Sequence, residues 1–457
     1  MDEDHPIATE RGSAGKPARP TRRRFLRGLL AVGGLGLISA AGGITHYLAT
    51  LYGAGEPQRG HLVLTGARVL AGEGLEPRGG TAVLVSDGMI AEVADEDDLV
   101  IPEGAEVVDL SGHTLLPGLI DLHVHMGFPQ LERGEEMGPA QMPGYVYDIA
   151  RYAPSARRAF LDHGVTTVRS LGDEYAWVME MRRMLQEGEL EGPRLFAAGP
   201  TFTTPGGHPI VTFGVEKDSD TVRIPATPEE ARRIVRALAT GDDPVDLIKV
   251  VQERGDPARL QMDPIPTEVL AAIVTEAHEH GRTVTAHWGT QEDLAEVLAA
   301  GVDGVEHLEA RGVLEGWPDD LLALLVERGV AVAPTLAVTE AAISPEKHER
   351  LRERLGEVHA AGGRIVASSD AAIPGVPFGG GLHREVELLA DSGLGPRAAL
   401  VAATSEAAKV LGTDEIGAIA PGRAADLVAV RGDPLENIER IRDVSTVFRD
   451  GRLVVER

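Results

Sequence analysis

Between Leu115 and Leu411 the chain repeats one pattern eight times: a short apolar run, then a segment whose apolar residues recur at three and four. The runs are LLPGLIDLHVH, TTVRSLG, RLFAAGP, DLIKVV, TVTAHW, GVEHLEA, VAVAPTLAV and RIVASSD. Apolar runs of this length bounded by Gly and Pro read as buried strands, and the segments between them as amphipathic helices. Regular alternation of strand and helix makes the strands parallel, because a crossover helix returns the chain to the same edge of the sheet. Eight such units in roughly 300 residues fit an α/β TIM (β/α)8 barrel better than an open sheet. The doubly wound sheet would carry a G-x-G-x-x-G after an early strand, and none follows one there.

The flanks differ. HLVLTGARVL, TAVLVSDGMIAEV and AEVVDL before the barrel, and ADLVAVRGDPL and VSTVFRDGRLVV after it, are β runs with glycine turns. They read as two parts, 60–114 and 412–457, of one small β-sandwich domain built from both chain ends around a barrel at 115–411. Residues 1–55 differ in kind. Arg22, Arg23 and Arg24 precede an apolar stretch, and from Gly28 to Gly55 there is no Asp, Glu, Lys or Arg. A segment of this kind is an export signal or a membrane anchor, and either places the remaining chain outside the cytoplasm. Ser39, Ala40 and Ala41 offer a small-residue cleavage site, so a secreted and an anchored product are both open.

Composition narrows the chemistry. A net charge of −27 argues against nucleic acid as a partner, since a polyanion would be repelled. The chain has no cysteine, which excludes a thiol nucleophile, Cys-bound zinc and disulfides. A metal would have to be held by His and carboxylates.

His123 and His125 stand two apart at the end of the first run. On a strand such residues share a face, about 6 to 7 Å apart, and both rings can reach one ion. His278 and His280 have the same spacing, but in TEVLAAIVTEAHEHG, a helical pattern. There they point about 200° apart and share nothing. Lys249 and His287 fall near the ends of the fourth and fifth runs, Asp370 ends the eighth, and His307 lies in the sixth. All six positions fall at or near C-terminal strand ends, where barrel enzymes assemble their sites. Taken singly, each histidine is equally well a packed or surface imidazole and Asp370 a helix cap. Their joint placement is the informative fact.

Together, DLHVH, DLIKV, VTAHWG, GVEHLE, ASSDA and the terminal GAIAPGRAADLVAVRGDPLENI resemble the amidohydrolase superfamily over about residues 60–457, with HGVTTVRSLG and PGGHP pointing to its prolidase-like and imidazolonepropionase-like branch. The segment Thr21–Arg27 likewise resembles a twin-arginine export signal. The resemblance implies two divalent metal ions, with zinc the leading choice, held by His123, His125 and Asp370 on one side, His287 and His307 on the other, and a carbamylated Lys249 bridging both. It implies a metal-bridging hydroxide as nucleophile and Asp370 as general acid/base. The expected activity is cleavage of an amide bond in a small molecule, a dipeptide or an N-acyl amino acid, outside the cytoplasm. A cyclic amide, lactone or phosphotriester hydrolase, and a non-catalytic periplasmic binding protein, are the competing readings.

Substrate-facing candidates are His208 in TTPGGHPI, an oxyanion or substrate donor; Arg169, a carboxylate ligand or half of an internal ion pair; and Tyr145, in the long loop after the first strand. Gly206 and Gly207 are expected to let that backbone approach a ligand. The loop VVQERGDPARLQMDP lacks the glycine pair that many prolidase-like relatives carry, a departure that argues against a prolyl dipeptide. Oligomeric state is not legible.

Overall fold

The computed structural model describes residues 60–135, 137–308 and 310–457; the arginine-rich and uncharged N-terminal segment lies outside them. The barrel strands are β1 (Leu119–Val124), β2 (Val165–Ser170), β3 (Arg194–Ala197, resumed at Thr201–Phe202), β4 (Leu247–Gln252), β5 (Thr283–Trp288), β6 (Gly304–Glu306), β7 (Ala331–Ala333) and β8 (Arg364–Ile365). Neighbours pair in parallel from β1 to β8. The ring closes where Leu122 N–H donates to Ala367 O at 3.2 Å and Asp370 N–H to His123 O at 2.9 Å. The chain is therefore an α/β TIM barrel.

Two β-sheets flank the barrel. One is four-stranded and local, ordered Met89–Asp95, Thr81–Ser86, His61–Thr65, Glu106–Asp109; the other is six-stranded and joins both chain ends, with Leu427–Arg431 antiparallel to His113–Pro117. Alternation explains why it has two buried faces. Leu115, Leu427, Ala429 and Phe448 pack with Leu62, Leu64 and Val83 of the smaller sheet. Their neighbours Leu116, Val428, Val430 and Val447 join the large barrel core. Strands apolar on both sides are what a middle layer requires.

Two strand expectations change. LLPGLIDLHVH is not one strand but two, cut at Gly118: His113–Pro117 belongs to the six-stranded sheet and Leu119–Val124 to the barrel. A Cβ at Gly118 would lie 2.1 Å from Thr166 Oγ1, so the crossing needs glycine. VAVAPTLAV is a strand only at Ala331–Ala333, and Leu336–Ala342 is helix. Pro334 and a left-handed Thr335 (φ 48) end the strand, and the buried Glu385 carboxyl group accepts from Ala337 N–H at 2.8 Å at the helix start.

Candidate active site

A bulge in β1 aims the two histidines. Ile120 and Leu122 face Ala331, Ala333 and Val366 in one cluster, which would leave His123 on the opposite face. Asp121 pairs with Val168 and Val124 with Ser170, three steps on β1 against two on β2. That extra residue shifts the phase, so His123 and His125 both turn to the barrel mouth. Asp121 stays on the outer side, accepting from Ser369 N–H (2.9 Å) and Ser369 Oγ (2.5 Å). This clamps β1 to the segment carrying Asp370. Asp370 and His307 themselves hold left-handed backbone, at φ 61 and 71, a strained state for residues with a Cβ.

One cavity of about 300 Å³ is lined by His123, His125, His208, Lys249, His287, His307 and Asp370. The imidazole centroids run in a chain, His125 to His123 at 5.3 Å, His123 to His307 at 4.9 Å, His307 to His287 at 4.8 Å, and His287 stacked on His208 at 5.0 Å. The divergent pair is elsewhere: His278 bonds Asp303 and His280 bonds Glu276.

Below the cavity the barrel interior holds a buried charge network. Glu306 accepts from His123 Nδ1–H at 2.8 Å, from Arg169 Nη2 at 2.6 Å and from Thr285 Oγ1 at 2.5 Å. Burial alone would raise the Glu306 carboxyl, but Arg169, His123 and Lys249 outweigh it and hold it far below the usual carboxylate range. His123 is pushed down to about 4 by burial, against the pull of Asp370. It is therefore neutral at pH 7, with its proton on Nδ1 by the Glu306 bond. Its Nε2 lone pair then faces Asp370 Oδ1 at 3.4 Å. Asp370 stays ionised, because His123, His125 and Lys249 together outweigh the burial that raises it.

Two electron-pair donors pointed at one another repel, and a cation between them removes the conflict. His125 Nδ1 and Lys249 Nζ are buried without a hydrogen-bond partner, and Asp370 Oδ1 faces two ring nitrogens, His123 Nε2 at 3.4 Å and His125 Nε2 at 3.2 Å. Ligand atoms of His123, His307 and Asp370 lie within 4.8 Å of one another. The donor set fits a divalent ion of the zinc type. Lys249 is pushed down to about 8 by burial, against Glu306 and Asp370, so a share of it is neutral amine near neutral pH.

His208 lines the cavity as a loop residue. Its Nδ1 is 2.8 Å from Thr212 Oγ1, and Thr203 Oγ1 donates to its carbonyl at 2.6 Å. Burial and then His287 lower it to about 3. Gly206 and Gly207 do not open onto the cavity: a Cβ would meet Asp263 Oδ2 at 2.4 Å and Thr203 Oγ1 at 2.5 Å, so they fold the loop on itself. Arg169 is not a cavity residue. It is spent on Glu306 and on the Leu122 carbonyl (2.6 Å), the internal ion pair. Tyr145 also lies off the cavity wall; its hydroxyl donates to Gly127 O at 3.1 Å from helix Met142–Ala150.

Sequence reasoning passed over Glu306 and Glu253. Glu253 accepts from His287 Nε2–H at 3.0 Å and from Arg311. Burial would raise its carboxyl, but His287 and Arg311 prevail and bring it to about 2. Charged residues inside or just past apolar runs, as in GVEHLE and VVQERG, were the available signal.

The family model described as Amidohydrolase family matches residues 114–454. An uncharacterized protein of Mycobacterium tuberculosis is 28% identical over 367 residues, covering 76% of this chain and 87% of that protein. The ochratoxinase of Aspergillus niger is 26% identical over 434 residues, 84% of this chain and 85% of its own. The crystal structure of a Xaa-Pro dipeptidase with methionine bound in its active site superposes with a TM-score of 0.71 at 25% identity, covering 86% of this chain and all of the other.

Proposed function

We propose that this chain, which belongs to the amidohydrolase family, cleaves the amide bond of a dipeptide or an N-acyl amino acid. Membership and the buried His123, His307 and Asp370 group make it a metal-dependent hydrolase of carbon–nitrogen bonds, which sets the non-catalytic alternative aside. The observation that carries the finer reading is the cavity itself, where the lone pairs of His123 and Asp370 face each other beside a neutral donor, His208. Similarity to a Xaa-Pro dipeptidase supports a substrate of amino-acid size.

In this reading His123, His125 and Asp370 would hold one divalent ion, His287 and His307 a second, and Lys249, carbamylated on Nζ by CO₂ with loss of a proton, both. Such ions would supply Lewis acidity toward the scissile carbonyl and acidify water at the site. The chain's own groups do the rest. Glu306 fixes His123 with Nε2 as the electron-pair donor, and Glu253 does the same for His287 through Nε2–H. Asp370, kept ionised, accepts the proton of the attacking water and passes it to the amide nitrogen, which would otherwise leave as a poor anion. His208 is neutral; with Nδ1 accepting from Thr212, its Nε2–H donates to the carbonyl oxygen where charge develops.

We place the enzyme outside the cytoplasm, by the twin-arginine route, from Arg22, Arg23 and the uncharged stretch to Gly55 alone. The catalytic reading is tested by offering the metal-loaded protein N-acyl amino acids, dipeptides, cyclic amides, lactones and phosphotriesters. Amide hydrolysis in at least one of the first two classes is the expected result. Turnover confined to lactones or phosphotriesters contradicts it.

A further inference from the structure

Resting on the reading of an amide-cleaving site, we propose that Arg133 anchors the substrate carboxylate and that the cavity admits the acyl end only when uncharged. The substrates are then N-acyl amino acids with an apolar side chain rather than free dipeptides.

Arg133 lies on the cavity wall and is exposed. Among the described residues its guanidinium has no hydrogen-bond or ion-pair partner, whereas Arg169 and Arg311 are already committed, to Glu306 and to Glu253. Its backbone is held in place. Gly375 N–H donates to Leu131 O at 2.8 Å, and a Cβ at the left-handed Gly375 (φ +92) would touch the Arg133 Cβ at 3.4 Å. A fixed stem and an unpaired planar fork at the mouth of the cavity are what bidentate carboxylate recognition needs.

The opposite charge is missing. Asp370 is the only carboxylate among the described residues that line the cavity, and it belongs to the metal-ligand set. An α-ammonium, with an ordinary pKa of about 7.7–8.0, stays charged at neutral pH. Buried there it would have no uncommitted carboxylate on the wall to pair with. Apart from Thr201 and Thr221, the rest of the wall is apolar. Phe128 and Phe213 meet edge-on at 6.2 Å, Phe213 is 51% exposed at the rim, and Val215 and Val338 continue the surface. An acyl group or an apolar side chain covers that surface without leaving a polar group unpaired.

The test is calorimetric binding to the metal-loaded full chain of 2-benzyl-4-oxopentanoate, in which CH₂ replaces the amide NH of N-acetylphenylalanine. Its carboxamide and its 5-amino derivative are measured beside it at pH 6.5. The acid is expected to bind about 10- to 100-fold more tightly than the carboxamide. Arg133→Ala should erase that difference, Arg133→Lys should keep part of it, and the ammonium should weaken binding by a similar factor. Equal affinity of acid and carboxamide, a difference that survives Arg133→Ala, or tighter binding of the ammonium derivative overturns the proposal. Turnover is a separate readout: absence of hydrolysis with every N-acyl amino acid and dipeptide sinks the amide reading, whereas hydrolysis with binding indifferent to Arg133 sinks this assignment alone.

Discussion

Glu306 Oε2 lies 2.8 Å from His123 Nδ1, on strands that sit across the barrel from each other, with both side chains almost fully buried. The same carboxylate neutralises Arg169, so one residue orients a metal-ligand candidate and balances a buried cation. Glu306→Gln is expected to lower metal affinity about 10- to 100-fold and to cost about 3 kcal/mol of stability by leaving Arg169 uncompensated. Adding Arg169→Met should restore much of the stability and none of the metal affinity. Urea unfolding and metal titration of the single and double variants separate the two roles, and a double variant with no recovery of stability would contradict the charge-balance argument.

Asp370→Asn keeps an oxygen for ligation and loses the base. We expect kcat to fall by about 10²- to 10⁴-fold, with metal content within a few-fold of the parent. Steady-state kinetics beside elemental analysis decides it; a variant that keeps its turnover removes Asp370 from proton transfer.

Lys249 Nζ is buried and unpartnered, and the amine is brought to about 8. Enzyme reconstituted with metal in CO₂-free buffer should be poorly active and gain activity on adding bicarbonate. Lys249→Ala should be inactive and indifferent to bicarbonate. A parent protein equally active without CO₂ would exclude the carbamate.

Glu385 is fully buried under helix Leu336–Ala342, and burial pushes its carboxyl up to about 8 despite hydrogen bonds from the Ala337 and Leu336 backbone. Folded, it retains a proton that the unfolded chain gives up near pH 4.3. Its contribution is therefore greatest at low pH and is lost as pH climbs from about 4.3 to about 8. Glu385→Gln should match the parent near pH 4.5 and exceed it by about 4 kcal/mol at pH 8. Denaturation midpoints at the two values test this, and a constant difference would refute it.

The barrel was legible because apolar runs and helical segments alternate, and the site because chemically capable residues fall where such runs end. What escaped depends on contacts distant in sequence. Arg169 reads equally as a substrate ligand and as half of an internal ion pair until Glu306, 137 residues away, is seen beside it. The bulge in β1 leaves no mark in LIDLHVH, since phase against β2 is a property of the pair. LLPGLIDLHVH reads as one strand through Pro117 and Gly118, and only the antiparallel partner Leu427–Arg431 reveals a change of sheet. Helix Leu336–Ala342 hides in an apolar run that periodicity alone cannot assign. Arg133, in an irregular loop, carries no periodic signal.

Metal content per chain, measured on the purified protein alongside hydrolysis of an N-acyl amino acid, tests the central claim most directly. The account predicts about two equivalents of divalent metal, activity that disappears with chelation and returns with metal, and loss of both in His123→Ala combined with His307→Ala. Full turnover with less than one equivalent bound, or in that double variant, would contradict it.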